Sequence, residues 1–133
     1  MPRWSAIFIA TSFVYLVLGS AWGAWLLATK GTAHMAGLPW SLRAWHVHAM
    51  LMGWLTQFIW GIGFWAFPRF RTSRGSVYLL PWVWGLLNLG LLLSLVGTAV
   101  RSLSLRFPGL VLVALAAAVF AWHAWPRIKP PGA

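Results

Sequence analysis

The chain has no aspartate, no glutamate and no cysteine among its 133 residues. Each absence removes a kind of chemistry. Without carboxylates there is no paired-carboxylate hydrolysis and no calcium cage built on side-chain carboxylates. A zincin helix is excluded as well, since it needs a glutamate beside its histidines. Proton-coupled transporters usually carry a membrane-embedded carboxylate, and this chain has none. Without thiolates there is no cysteine zinc site, no iron–sulfur cluster and no thioether-attached c-type heme. The missing cysteines carry no information on redox compartment. Histidine is left for metal chemistry, with methionine as a soft helper. The balance leans away from an enzyme.

What is present is apolar. Hydrophobic residues make up 61% of the chain and the mean hydropathy is +0.78, where a soluble domain has roughly 45–50% apolar residues. Apolar runs recur four times, each near the ~20 residues that a membrane helix needs. The expectation is an all-α, integral membrane four-helix bundle forming one domain, with spans at about 4–28, 44–67, 78–100 and 108–125. Pro108 suits a first helical turn, while Pro68 and Pro126 suit helix exits. The first run is too long and too rich in tryptophan for a signal-peptide core, so it is expected to be retained. Short connections make consecutive helices antiparallel neighbours.

All ten basic residues lie at the ends of apolar runs or between them. Arg3, Arg69, Arg71, Arg74, Arg127 and Lys129 fall on one side; Lys30, Arg43, Arg101 and Arg106 fall on the other. The excess predicts both termini in the cytoplasm, hence a multi-pass protein of the cell (inner) membrane. The bases do not cluster on a soluble module, so nucleic acid is not the expected partner. The lipid bilayer is, through anionic headgroups. A sharper possibility is that one or two arginines pair with an acidic cofactor.

Of the 12 tryptophans, Trp4, Trp25, Trp40, Trp45, Trp65, Trp82, Trp122 and Trp125 fall near span ends, as in interfacial belts. Trp54 and Trp60 are deeper, facing lipid, another helix or a flat ring. Small residues mark places where helices can approach closely: Gly19 with Gly23, the series Gly53, Gln57 and Gly61, and the run from Ala114 to Ala118.

The segment Arg43-Ala-Trp-His46-Val-His48-Ala-Met50-Leu-Met52-Gly53-Trp54 concentrates the chemistry. A polar ring at the edge of a membrane span is costly without a partner, and neutral imidazole is the commonest metal ligand. His46 and His48 are two residues apart, about 200° of rotation on a helix. They cannot face one site together. From His46 the helix face continues through Met50, Gly53, Gln57 and Gly61, a groove of small residues with one amide. From His48 it continues through Met52, Leu55, Ile59 and Ile62, a greasy face. The geometry favours His46 as the functional ring. Arg43, one turn earlier, is placed to pair with a carboxylate such as a heme propionate. His34 lies in the loop on the same side as His46. His123 ends the fourth span on the other side, roughly 20–30 Å away at 1.5 Å per residue, where an interfacial ring is expected. Asn88, Tyr15 and Gln57 are candidates to hydrogen-bond a ligated histidine; Asn88 could instead bond another helix.

This segment resembles the second helix of heme–copper oxidase subunit I, most closely the nitric oxide reductase branch. The string Trp45-His46-Val-His48-Ala-Met50-Leu51-Met-Gly53 is also similar to the NnrS family of heme- and copper-containing membrane proteins. The exit Gly61-Ile-Gly-Phe-Trp-Ala-Phe-Pro68-Arg69 fits the oxidase helix too. The resemblance covers about 25 residues and implies an axial low-spin heme ligand at His46. His48 falls where reductase relatives often carry asparagine. The second low-spin ligand and the copper-binding histidines of a full subunit are absent, so one chain cannot build a binuclear site.

The resulting expectation is a membrane protein binding heme b non-covalently. His46 would be its iron ligand and Arg43 its propionate partner. Met50, Gly53, Gln57 and Gly61 would line the groove, with Gly53 making room for the macrocycle. A further ligand would come from His34, His48, a second copy of the chain or a larger respiratory-type complex. Its role would be electron transfer, gas or heme sensing, or heme handling. Two alternatives stay open. One is a copper handler or oxidase assembly factor using His46, His48, His34 and Met35, Met50 and Met52. The other is a cofactor-free accessory subunit.

Overall fold

The computed structural model describes residues 1–29, 40–68 and 76–128, and these are helical with no strand among them. Helix α1 is Arg3–Thr29 and α2 is Trp40–His48. A π-helical stretch, Ala49–Thr56, joins α2 without a break to α3, Gln57–Ala66. A 3-10 turn, Val77–Leu79, opens α4, Leu80–Ala99. Helix α5, Leu103–Ala124, runs into a 3-10 turn at Trp125–Arg127. Four continuous helices are long and apolar enough to cross a membrane: Arg3–Thr29, Arg43–Ala66, Val77–Ala99 and Leu103–Arg127. Lys30, His34, Met35, Arg69, Arg71, Arg74, Lys129 and the side chain of Trp40 lie outside the described residues.

The exits follow proline chemistry. Phe67, before Pro68, is extended at φ −58° and ψ 142° and ends α3, as the ring of a following proline requires. Pro126 falls where α5 tightens into its terminal 3-10 turn. The fourth helix departs from expectation. It starts at Leu103, so Pro108 is an interior residue and not part of a first turn. The reason is the sharpness of the preceding reversal. Arg101 adopts the left-handed region at φ 55°. The Ser102 N–H donates to the Gly97 carbonyl at 2.8 Å and the Arg101 N–H to that of Thr98 at 3.3 Å. This closure caps α4 and lets α5 begin at once.

Helices α4 and α5 form a tight antiparallel pair. A methyl group on Gly109 would lie 2.5 Å from the Ser94 nitrogen and 2.7 Å from the Gly90 carbonyl oxygen, and one on Gly97 would strike the Arg106 backbone. Only residues without a Cβ permit such an approach. The alanine run 114–118 contributes only Ala116 to the interior, while Ala114, Ala117 and Ala118 are exposed. Consecutive residues step about 100° around a helix, so a run of five cannot share a face.

Helix α1 packs antiparallel on the second long helix. Phe8, Phe64, Leu80, Val83, Phe120 and Ala124 form the core at one end; Leu87, Leu91 and Ala116 continue it. Trp60 stacks on Phe120 with ring centroids 4.6 Å apart, so this deep tryptophan meets another helix. Most large apolar side chains point outward, among them Val17, Leu27, Trp82, Leu103, Phe107, Trp122 and Trp125, each at least 64% exposed.

Both described termini lie at one end of the bundle, where Arg127 closes α3. Its guanidinium donates to the carbonyls of Phe64 at 3.0 Å, Phe67 at 2.7 Å and Pro68 at 3.2 Å. These are carbonyls that a helix end leaves without intrahelical donors, and the cation also meets the negative end of the helix dipole. The side chain is 3% exposed and lies over the Phe64 and Phe67 rings. His123 sits beside it, 5% exposed, its ring 5.6 Å from that of Phe64. It is a buried residue at the opposite end from His46.

Candidate functional site

The site grows from two glycines on α1. Gly19 and Gly23 are one turn apart, and their missing side chains leave a shallow seat. His46 fills it at Gly23: a Cβ there would lie 2.6 Å from Cε1 and 2.9 Å from Nδ1 of the ring. Met50 fills it at Gly19, where a Cβ would lie 2.7 Å from the Met50 sulfur. The close-packing step on α1 thus receives the imidazole and thioether side chains of the opposing face.

His46 is half-buried, and its Nδ1 lies 2.9 Å from the Gly19 carbonyl oxygen. A carbonyl can only accept, so this bond places the proton on Nδ1 and leaves the lone pair on Nε2. That is the tautomer of a metal-ligating histidine whose other nitrogen is anchored to backbone. Nε2 has no hydrogen-bond partner among the described residues.

His48 is not brought to this seat. Its Nδ1 lies 2.8 Å from the Ala44 carbonyl oxygen in its own helix. Its face carries Met52, Leu55, Ile59 and Ile62, all exposed by more than a third. Arg43 is exposed at the start of the same helix. His34 lies outside the described residues. Among the described residues no three histidines come together.

The remaining groove residues face inward, but the groove is filled. The Tyr15 ring lies against Gly53, and Ile9, Phe8 and the Ser5 carbonyl lie against Gly61. Gln57 turns toward α4. It donates to its own Gly53 carbonyl at 2.9 Å and exchanges amide hydrogen bonds with Asn88, 3.3 Å one way and 3.2 Å the other. Asn88 also donates to the Trp84 carbonyl, and the Trp84 indole donates to the Thr11 hydroxyl at 3.1 Å. This polar chain ties three long helices together through satisfied bonds. Asn88 therefore bonds another helix, and Tyr15 packs on Gly53.

For a heme, the donor atom fits and the slot does not. Nε2 of His46 is the atom that the Nδ1 bond to Gly19 leaves without a partner among the described residues. The space along Gly53 and Gly61 is occupied by α1 side chains and backbone.

Two residues and one helical stretch escaped sequence reasoning. Trp45, read as an interfacial ring, donates its indole N–H to the Leu95 carbonyl of α4. Arg127, read as a surface charge, is a buried helix cap. The π-helical stretch directly after His48 had no signal in the hydrophobic pattern; such segments are frequent at functional sites. No protein family, curated protein or solved structure matches the chain.

Proposed function

We propose that this is an inner-membrane protein with both termini in the cytoplasm that binds b-type heme through His46. The observation that carries the reading is the Nδ1 bond to the Gly19 carbonyl at 2.9 Å, which in the neutral ring leaves the lone pair on Nε2. The apolar outer surface supports placement in a bilayer. Arg43 stands one turn before His46, at the helix end where a propionate would meet it. Bound heme would supply one-electron redox chemistry or a gas-binding iron. The role is electron transfer, gas or heme sensing, or heme handling. Gly53 and Gly61 then serve the helix seam. A further iron ligand would come from His34, His48, a second copy of the chain or a larger respiratory-type complex.

Copper is the second reading, favoured by the placement of the Met50 sulfur in the same glycine seat as His46. Imidazole with thioether suits copper. The filled groove favours a third, a cofactor-free accessory subunit.

Absorbance spectra of protein purified after expression with ample heme separate them. A Soret band present in the parent and in His48→Ala but lost in His46→Ala supports heme ligation. Stoichiometric copper lost on His46→Ala or Met50→Ala, with no Soret band, replaces it with copper. Neither cofactor in clean protein leaves the accessory subunit.

A further inference from the structure

At the His46 end of the bundle, a cavity of about 360 Å³ is bounded by Ala44, Gly97, Thr98, Arg101, Ser102, Leu103 and Arg106. It lies between the start of the second long helix and the α4–α5 reversal. Two of its walls are exposed arginines, and the chain has no Asp or Glu to neutralise them. Neither has a partner among the described residues. Ser102 adds a hydroxyl, while that of Thr98 is donated to the Ser94 carbonyl at 2.7 Å. The reversal also spends backbone strain on one of the arginines. Arg101 holds φ 55°, where glycine is the usual residue.

The geometry points to a phosphate site, occupied by the headgroup of an anionic phospholipid. Two guanidiniums and the Ser102 hydroxyl suit a phosphate, which arginine binds in a bidentate manner. The first turn of α5 adds N–H groups and the positive end of the helix dipole. The place in the fold selects the lipid over a soluble anion. The cavity sits where apolar helices end, and Leu103 and Phe107 beside it are 74% and 64% exposed, offering a bed for an acyl chain.

Native mass spectrometry of the detergent-solubilised full chain tests it, with phosphatidylglycerol or phosphatidylcholine added. A tightly held phosphatidylglycerol adduct is expected, with phosphatidylcholine weak. Arg101→Gly and Arg106→Gln should each weaken that adduct about tenfold, the loss of one charge-assisted contact. Arg3→Ala, an exposed arginine at the other end, should leave it unchanged. Arg101→Gly keeps the fold, because glycine accepts the left-handed backbone, and its melting temperature should not fall. Equal binding of the two lipids, or equal loss in Arg3→Ala, would overturn the site. Displacement of the lipid by millimolar inorganic phosphate would overturn the lipid as occupant in favour of a soluble anion. The readout is independent of heme, so failure of the His46 reading leaves it standing.

Discussion

The His46 ring sits directly on Gly23, so close that a methyl group on the glycine would lie 2.6 Å from Cε1. The relationship makes the ring's position a property of α1. It yields a test that leaves the ligand residue itself intact. Gly23→Leu should push the ring out of its seat, break the Nδ1 bond to Gly19 and abolish the Soret band as fully as His46→Ala does. Gly85→Ala is the matching control, because open space surrounds that position. A Soret band of parental intensity in Gly23→Leu would separate heme binding from this seat.

Gln57 and Asn88 exchange two hydrogen bonds in the interior of the bundle. Removing one amide strands the other in an apolar setting. Gln57→Leu or Asn88→Leu should each destabilise the fold by about 1–2 kcal/mol, near the upper end of interhelical hydrogen bonds in membranes. The double variant should cost less than the two single changes together, since it leaves no stranded partner. Reversible unfolding in mixed micelles, run as a double-mutant cycle, measures the coupling. Strict additivity would show that the pair is energetically idle.

How far these features were legible depends on their range. The inward face of the second long helix, His46 through Met50, Gly53, Gln57 and Gly61, is local periodicity, and sequence reasoning found it. The long helices follow from apolar length; the first and third agree with the expected ends to within one residue, while the second begins at Trp40, four residues early. What filled the groove was not legible. Whether Gly53 faces a macrocycle or Tyr15 depends on how α1 registers against its neighbour, and that register is written in pairs far apart in the chain. Trp45 with Leu95 and Arg127 with Phe64 are hidden for the same reason. The early start of α5 depended on an arginine accepting a left-handed backbone, against its ordinary preference.

Arg127 caps α3 with hydrogen bonds to three carbonyls. Lysine cannot reproduce a planar fork of donors. Arg127→Lys should therefore resemble Arg127→Met, with each losing about 2–3 kcal/mol, the scale of charged hydrogen bonds to buried acceptors. Faster amide hydrogen exchange should appear at the end of α3, around Phe64 to Phe67, before elsewhere. Full stability in Arg127→Lys would show that charge at the helix terminus suffices without the fork.

The α4–α5 pair makes the sharpest steric forecast. At Gly97 an added Cβ meets the backbone of Arg106, and at Gly109 it meets the Ser94 nitrogen at 2.5 Å. Backbone cannot rotate away as a side-chain tip can, so the helices must separate along their length. At Gly63 the nearest atoms are the Phe67 ring at 3.5 Å, ordinary contact distance. Alanine in place of Gly63 removes a helix-weakening glycine at no steric cost, a gain of about 0.5–1 kcal/mol. Gly97→Ala and Gly109→Ala should instead lower stability by about 1–3 kcal/mol, the usual penalty of overpacking. Opposite signs for these substitutions in one unfolding assay are expected. A gain at all three positions would mean that the two helices do not meet at their glycines.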